Sequence, residues 1–138
     1  YENEKIYINI AEGTDDGEIV ILENKGNYKN GNYSNLKILI RVLNTSSFER
    51  KGLDIIVNKE ISFKESICGF EGDIEYINNI KLKLKSSRGN IILNHDEKII
   101  HNKGIKRKNK IGNLIVKFKV KHNKSLNEDQ LKLFDKIL

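Results

Sequence analysis

A chain of 138 residues holds one ordinary domain or two small ones, enough to bury a core without disulfide support. One cysteine, Cys68, excludes an intramolecular disulfide and any zinc site built from cysteine pairs, and no apolar run approaches the ~18 residues of a membrane helix. The net charge of +6 is lopsided: residues 1–73 carry 9 Lys+Arg against 13 Asp+Glu, residues 74–138 carry 16 against 6, and although a basic half can mean an anionic partner, Lys, Asn and Ile are so frequent throughout that AT-rich coding accounts for much of the excess.

In chain order, Lys5 to Ile10 alternates Ile6, Ile8 and Ile10 with Tyr7 and Asn9, the pattern of a strand with one apolar face. Gly13 and Gly17 bracket Thr14-Asp15-Asp16, a turn, and Glu18 to Glu23 is the next strand. Asn24 to Ser34 reads as a Gly/Asn loop, and Leu36, Ile38, Ile40 and Val42 alternate through a stronger strand. After the polar connector Asn44 to Ser47, Leu53, Ile55 and Val57 alternate with Asp54, Ile56 and Asn58, as a half-buried strand requires. That strand runs into Ser62-Phe63-Lys64-Glu65, a capping box, so a helix of about two turns covers Ser62 to Cys68 and closes at Gly69, with Phe63, Ile67 and Phe70 toward one side. Ile74 to Ile77 and Ile80 to Lys85 flank Asn78-Asn79 at a hairpin spacing. Ile91 to Leu93 and Lys98 to His101 are short strands, and Ile115 to Lys121 is the clearest strand of all.

The final stretch has the signals of a helix. Asn127 is an N-cap with Gln130 at the third helical position, and Glu128 and Asp129 suit the positive end of the helix dipole. Leu131, Phe134 and Leu138 form one apolar stripe, with Leu133 and Ile137 beside it, a face too wide for the helix's own domain to cover.

An internal repeat divides the chain. Shifted by 78 residues, Asn24-Lys25-Gly26 falls on Asn102-Lys103-Gly104, Asn35-Leu36 on Asn113-Leu114, and Ile38, Ile40 and Val42 on Val116, Phe118 and Val120. Such self-similarity implies two copies of one β unit.

Candidate chemistry is thin. His95-Asp96-Glu97 with His101 reads as a polar loop rather than a catalytic or metal constellation, and neither a phosphate-binding loop nor a nucleophile elbow is present. Cys68, inside the short helix, reads as a small buried hydrophobe and points to a reducing, cytoplasmic compartment. Asn32-Tyr33-Ser34, Asn44-Thr45-Ser46 and Asn123-Lys124-Ser125 match the glycosylation sequon at the rate expected of an Asn-rich chain. Lys81, Lys83 and Lys85, then Lys117, Lys119 and Lys121, alternate with apolar residues, and Lys103 to Lys110 is a charged loop; a basic β module binding RNA or ribosomes is therefore the alternative reading. Alternating lysines are, however, the ordinary solvent face of an antiparallel strand, and no aromatic residue is interleaved on the lysine face to stack bases.

The segment Phe48 to Phe70 resembles a stretch of the C-terminal substrate-binding region of DnaJ-type co-chaperones, whose pattern F-x-R-D-G-D-D-L, a strand and I-S-L-x-E-A-L-x-G-F is answered by Phe48, Arg50, Gly52, Asp54, Ile61, Ser62, Glu65, Ile67, Gly69 and Phe70. The family's G-K-G-M-P and G-D-L-I-V-K-F-x-V are similar to Asn102 to Lys106 and Gly112 to Val120. The resemblance implies a mainly β fold of two small antiparallel β-sandwich subdomains in tandem. Residues 1–50 would be the C-terminal part of a truncated first subdomain, residues 51–125 the second, and residues 126–138 a C-terminal dimerisation helix. A first residue other than Met fits a piece of a longer protein, and no charged-then-apolar leader is seen. The single cysteine places the chain in the subclass without the zinc-binding insertion. What the resemblance further implies is a non-enzymatic module that needs no cofactor, binds unfolded polypeptide and hands it to a seventy-kilodalton heat-shock chaperone, with no membrane and no nucleic acid involved. Phe48 would line the peptide pocket, and Leu131, Phe134, Ile137 and Leu138 would pair two protomers.

Overall fold

The computed structural model describes residues 3–44, 47–123 and 125–138. Thr45 and Ser46 of the sequon and connector that begin at Asn44, and Lys124 of the sequon Asn123-Lys124-Ser125, lie outside the described residues. In chain order the elements are β1 (Ile19–Leu22), β2 (Tyr28–Lys29), β3 (Asn32–Tyr33), β4 (Leu36–Leu39), β5 (Phe48–Lys51), β6 (Asp54–Ser62), α1 (Phe63–Cys68), β7 (Glu71–Glu75), β8 (Lys81–Lys85), β9 (Glu97–Ile100), β10 (Lys106–Arg107), β11 (Lys110–Ile111), β12 (Leu114–Lys121) and α2 (Glu128–Ile137). The fold is mainly β. β1–β4, β2–β3, β7–β8 and β10–β11 are antiparallel pairs, and β5, β6, β12 and β9 follow one another in a four-stranded sheet.

The chain divides into two compact units. The first comprises the described residues up to Val57 with Ile99–Ile115, and its buried apolar residues are Ile55, Ile56, Val57 and Leu114. The second comprises Asn58–Lys98 with Val116–Leu138 and buries Ile61, Phe70, Ile74, Leu84, Val116, Phe118 and Val120. Each such side chain is worth about 1.5–3 kcal/mol when taken fully out of water.

The internal repeat is a repeat of backbone as well as of sequence. A shift of 78 carries β1 onto β9, β2 onto β10, β3 onto β11 and β4 onto the first half of β12. The Gly17 N–H donates to the Ile40 carbonyl at 2.9 Å and the Ile40 N–H to the Glu18 carbonyl at 2.8 Å, and His95, Phe118 and Asp96 repeat these bonds at 2.8 and 2.9 Å. Asp16 Oδ1 accepts from the Val42 N–H at 2.9 Å where Asn94 Oδ1 accepts from the Val120 N–H at 3.0 Å. Asn35 and Asn113 each accept from the N–H of an asparagine eleven residues back, Asn24 and Asn102, at 3.2 Å. Those two asparagines share a positive φ, 57° and 60°.

Four expectations need correction. No strand forms over Lys5 to Ile10, because no strand of the described residues pairs with it, and Tyr7 and Ile10 stand in solvent. Ile91 to Leu93 is likewise not a strand; the segment is held by single bonds, the Ile92 N–H to the Ser66 carbonyl at 2.9 Å and the Leu93 N–H to Asp96 Oδ2 at 2.8 Å. Asn24 to Ser34 is not a plain loop: Asn30-Gly31 turns the β2–β3 hairpin with φ of 52° and 83°. Cys68 is exposed, not buried. The buried position of α1 is Ser66, whose hydroxyl donates to the Phe63 carbonyl at 2.6 Å, and a residue two further on points to the opposite side of a helix.

Other expectations hold with adjusted limits. Both bonds of the Ser62–Glu65 capping box form, at 3.1 and 3.0 Å. Asn78 and Asn79 both take positive φ, 60° and 59°, between β7 and β8. Along β6, Ile55, Ile56 and Val57 are buried consecutively, so both faces are covered there and the half-exposed alternation is lost.

Candidate functional site

β5 is the outermost strand of the four-stranded sheet, and it places Phe48 opposite the buried Val57 of β6. Along β5 the half-buried side chains are Phe48 and Arg50, one face of a period-two strand, with Glu49 and Lys51 on the exposed face. Gly52, at φ 61°, makes the turn into β6. Arg50 ties this strand down. Its Nε donates to the Gly52 carbonyl at 2.8 Å, Nη1 to the Thr14 carbonyl at 2.5 Å and Nη2 to the Gly13 carbonyl at 2.8 Å, while Asp15 Oδ1 lies 3.5 Å from Nε. A planar guanidinium with fixed donors suits such a set of carbonyls, which a lysine could not satisfy at once. The Arg50 N–H is held by Asn44 Oδ1 at 3.2 Å.

The turn that receives Arg50 is acidic, and it also meets the β10–β11 hairpin. A Cβ at Gly13 would lie 2.6 Å from Arg107 Cβ and 2.7 Å from the Lys106 carbonyl, so only glycine fits that approach. Glu18 grips Arg107 in a two-pronged pair, Nη1 to Oε2 at 2.9 Å and Nη2 to Oε1, and also accepts from the Asp15 N–H. The Arg107 hydrogen bond, then the one from Asp15, hold the Glu18 carboxyl below the ordinary range, and the same pair raises Arg107.

In the second unit, α2 lies beside α1. Both bonds of the Asn127–Gln130 box form, at 2.8 and 3.0 Å. Phe134 faces Phe63 with ring centroids 6.4 Å apart, and Phe63 in turn contacts His122 at 5.3 Å. A groove of about 390 Å³ runs between the helices, lined by Phe63, Ile67 and Cys68 from α1 and Gln130, Leu133, Phe134 and Ile137 from α2. No residue of α2 is buried. Phe134 is half-covered, Leu131 is 42% exposed, Ile137 69% and Leu138 94%. Of the four association residues named from sequence, Phe134 and Ile137 share the groove, whereas Leu131 lines a neighbouring hollow with Phe63, His122 and Leu126.

The lysine rows are not bare. Lys81, Lys83 and Lys85 of β8 stand directly opposite Glu75, Asp73 and Glu71 of β7, and Lys117 lies 3.7 Å from Glu97. Opposite charges on facing strand positions offset each other locally. Among the described residues, no group of His, Cys, Asp and Glu is arranged to hold a metal ion, and no helix is long and apolar enough to cross a membrane.

The DnaJ C terminal domain family matches residues 1–122. The chain belongs to that family. The chaperone protein DnaJ of Borreliella burgdorferi is 32% identical over 140 residues, which covers 99% of this chain and 38% of that protein. That of Caldicellulosiruptor saccharolyticus is 33% identical over 136 residues, 96% of this chain and 34% of that protein. The DnaJ homolog subfamily A member 1 homolog of Dictyostelium discoideum is 29% identical over 136 residues, 96% of this chain and 30% of that protein. The chain thus spans about a third of the length of these curated relatives.

Within this DnaJ C-terminal domain the resemblance matches both Phe48 and Arg50 but assigns a pocket role to Phe48 alone. The structure gives Arg50 three backbone carbonyls and an acid, and the period of two puts it on the face of Phe48.

Proposed function

We propose that this DnaJ C-terminal domain is the client-holding part of a co-chaperone: it binds unfolded or non-native polypeptide and delivers it to a seventy-kilodalton heat-shock chaperone in the cytoplasm, with no chemistry of its own. The observation that carries the reading is Phe48, half-buried on the outermost strand of a sheet. An aromatic at a sheet edge offers an extended segment an apolar contact tolerant of sequence. Arg50 supports it by tying the strand to the Gly13–Asp15 turn, which keeps the edge in place before a client arrives. The family's arrangement of two β-sandwich subdomains in tandem is part of the proposal, and the repeated backbone supports it.

Phe48→Ala tests the client site. Capture of a chemically unfolded model protein should weaken about tenfold, the scale of a lost aromatic anchor, with little change in melting temperature. Unchanged capture, or a large loss of stability, would assign Phe48 to packing alone.

The second part of the proposal is that α2 pairs two protomers through Leu131, Phe134, Ile137 and Leu138. The exposure of Leu131, Ile137 and Leu138 in a single chain supports it. Two weak client sites joined in this way act on one polypeptide at a high effective concentration. Sedimentation should give a dimer at micromolar concentration for the full chain and a monomer for a version ending at Lys124; a monomeric full chain would remove the assignment.

The paired charges of β7 and β8 weigh against nucleic acid on that hairpin, since phosphates would have to compete with acids already opposite each lysine.

A further inference from the structure

We propose that the β10–β11 hairpin is a docking site for an acidic polypeptide segment, separate from the client edge on β5. Lys106, Lys108 and Lys110 are exposed along this hairpin, and Arg107 stands among them.

The first copy of the repeat shows that the fold does not require these cations. β2–β3 builds a hairpin of the same register with Tyr28, Lys29, Asn30 and Asn32 at the matching positions, although Gly31 has a positive φ that the matching Asn109 does not share. The Gly26 N–H donates to the Ser34 carbonyl at 2.7 Å, as Gly104 does to Gly112 at 2.9 Å. The Ser34 N–H donates to the Asn27 carbonyl at 2.9 Å, as Gly112 does to Ile105 at 2.9 Å. Asn30 and Lys108 share a φ of 52°. That conformation suits asparagine, whose short amide can bond locally, and is uncommon for lysine. A lysine kept in a disfavoured backbone state, at a position where the same chain uses asparagine, marks a residue held for its charge rather than for the turn.

The partner's chemistry is given by what the hairpin already holds. Arg107 takes the Glu18 carboxylate in a fork, presented by a loop that also carries Asp15 and Asp16 and lies close enough that Gly13 has no room for a Cβ. Side-chain carboxylates on a loop are therefore what this surface accommodates, and Lys106, Lys108 and Lys110 extend the same charge outward. Bases fit less well. The first copy pairs Tyr28 with Tyr33, ring centroids 5.0 Å apart, but the matching positions here are Lys106 and Ile111, so the hairpin has lost the aromatic pair on which bases would stack.

The test uses the full chain, a fluorescein-labelled oligoglutamate peptide and fluorescence anisotropy at low salt. Lys108→Asn with Lys110→Asn places the first copy's residues at the matching positions, and because Lys108 has the φ that Asn30 adopts, the melting temperature should stay or rise. Affinity should fall about tenfold or more, the effect of two exposed ion pairs together, and binding of the unaltered chain should weaken as salt is added. Lys83→Ala, which removes a lysine opposite Asp73, should leave the affinity as it is. Failure of the unaltered chain to bind oligoglutamate, or equal binding by the double variant, would overturn the proposal. So would an oligouridylate that binds more tightly and loses that binding in the double variant, which would assign the hairpin to phosphates.

Discussion

Phe70→Ala is expected to cost about 3–5 kcal/mol, the range for deleting a buried aromatic ring from a packed core. The ring is 4% exposed, meets Phe118 edge-on at 6.1 Å, and lies beneath the Lys59 ammonium, 5.7 Å from its centroid. It also occupies the space beside Gly72, where a Cβ would come within 2.9 Å of it. Truncation would leave a cavity bounded on one side by β12 and remove the seat of the Lys59 side chain. The midpoint of urea denaturation should drop accordingly, and Phe70→Leu should recover part of the loss. A drop worth less than about 1 kcal/mol would mean that the neighbours collapse into the space.

Gly112→Ala should be nearly as damaging for a different reason. Its φ is not in the left-handed region, so backbone freedom is not at issue; the problem is that an added Cβ would strike the Leu53 carbonyl and come within 2.8 Å of Leu53 Cβ. Gly104 is similarly confined, since an added Cβ would lie 2.5 Å from the Leu53 carbonyl and the Asn113 nitrogen, while the Ile105 N–H donates to that carbonyl at 2.7 Å. Two backbone segments meet here with no side chain between them, and relief requires moving one of them. Overpacking of this kind costs about 3 kcal/mol or more when the obstacle is main chain. Gly31→Ala is the contrasting case: φ is 83° but nothing lies within 4 Å, so it should cost only about 1 kcal/mol, from backbone strain. Equal thermal shifts for the two variants would show that the β10–β11 region gives way.

The strands that the sequence made legible are those long enough for a period to register. Leu114 to Lys121 and the two capped helices follow directly from alternation and from Ser62–Glu65 and Asn127–Gln130. The β2–β3 and β10–β11 hairpins have strands of two residues, too short for any periodicity, and the Asn30-Gly31 turn reads as part of a plain loop. Lys5 to Ile10 fails in the other sense, because alternation states which face would be buried and a strand also needs a neighbour to bond with. Cys68 was misplaced because apolar character was taken for burial, when Ser66 faces inward. At the candidate site, Phe48 comes from the family's F-x-R motif, and no local pattern places it on a strand at a sheet edge. The Arg50 contacts, 36 and 37 residues away in sequence, depend on a long-range meeting that no local pattern encodes.

Asn24, Asn30, Asn78, Asn79 and Asn102 all stand at positive φ, the conformation that glycine adopts most readily. Compared with glycine, asparagine leaves the unfolded chain fewer states to lose, so each such turn is closed at a smaller entropic cost. The amide that makes this possible is also among the side chains that proteins from hot environments use sparingly, because it degrades on heating. The wear of this chain with time and temperature should therefore concentrate at its turns, first at Asn30, whose neighbour Gly31 leaves the amide open to attack by the following backbone nitrogen. Its working life would then be set by covalent ageing at hairpin tips as much as by the packing of its core.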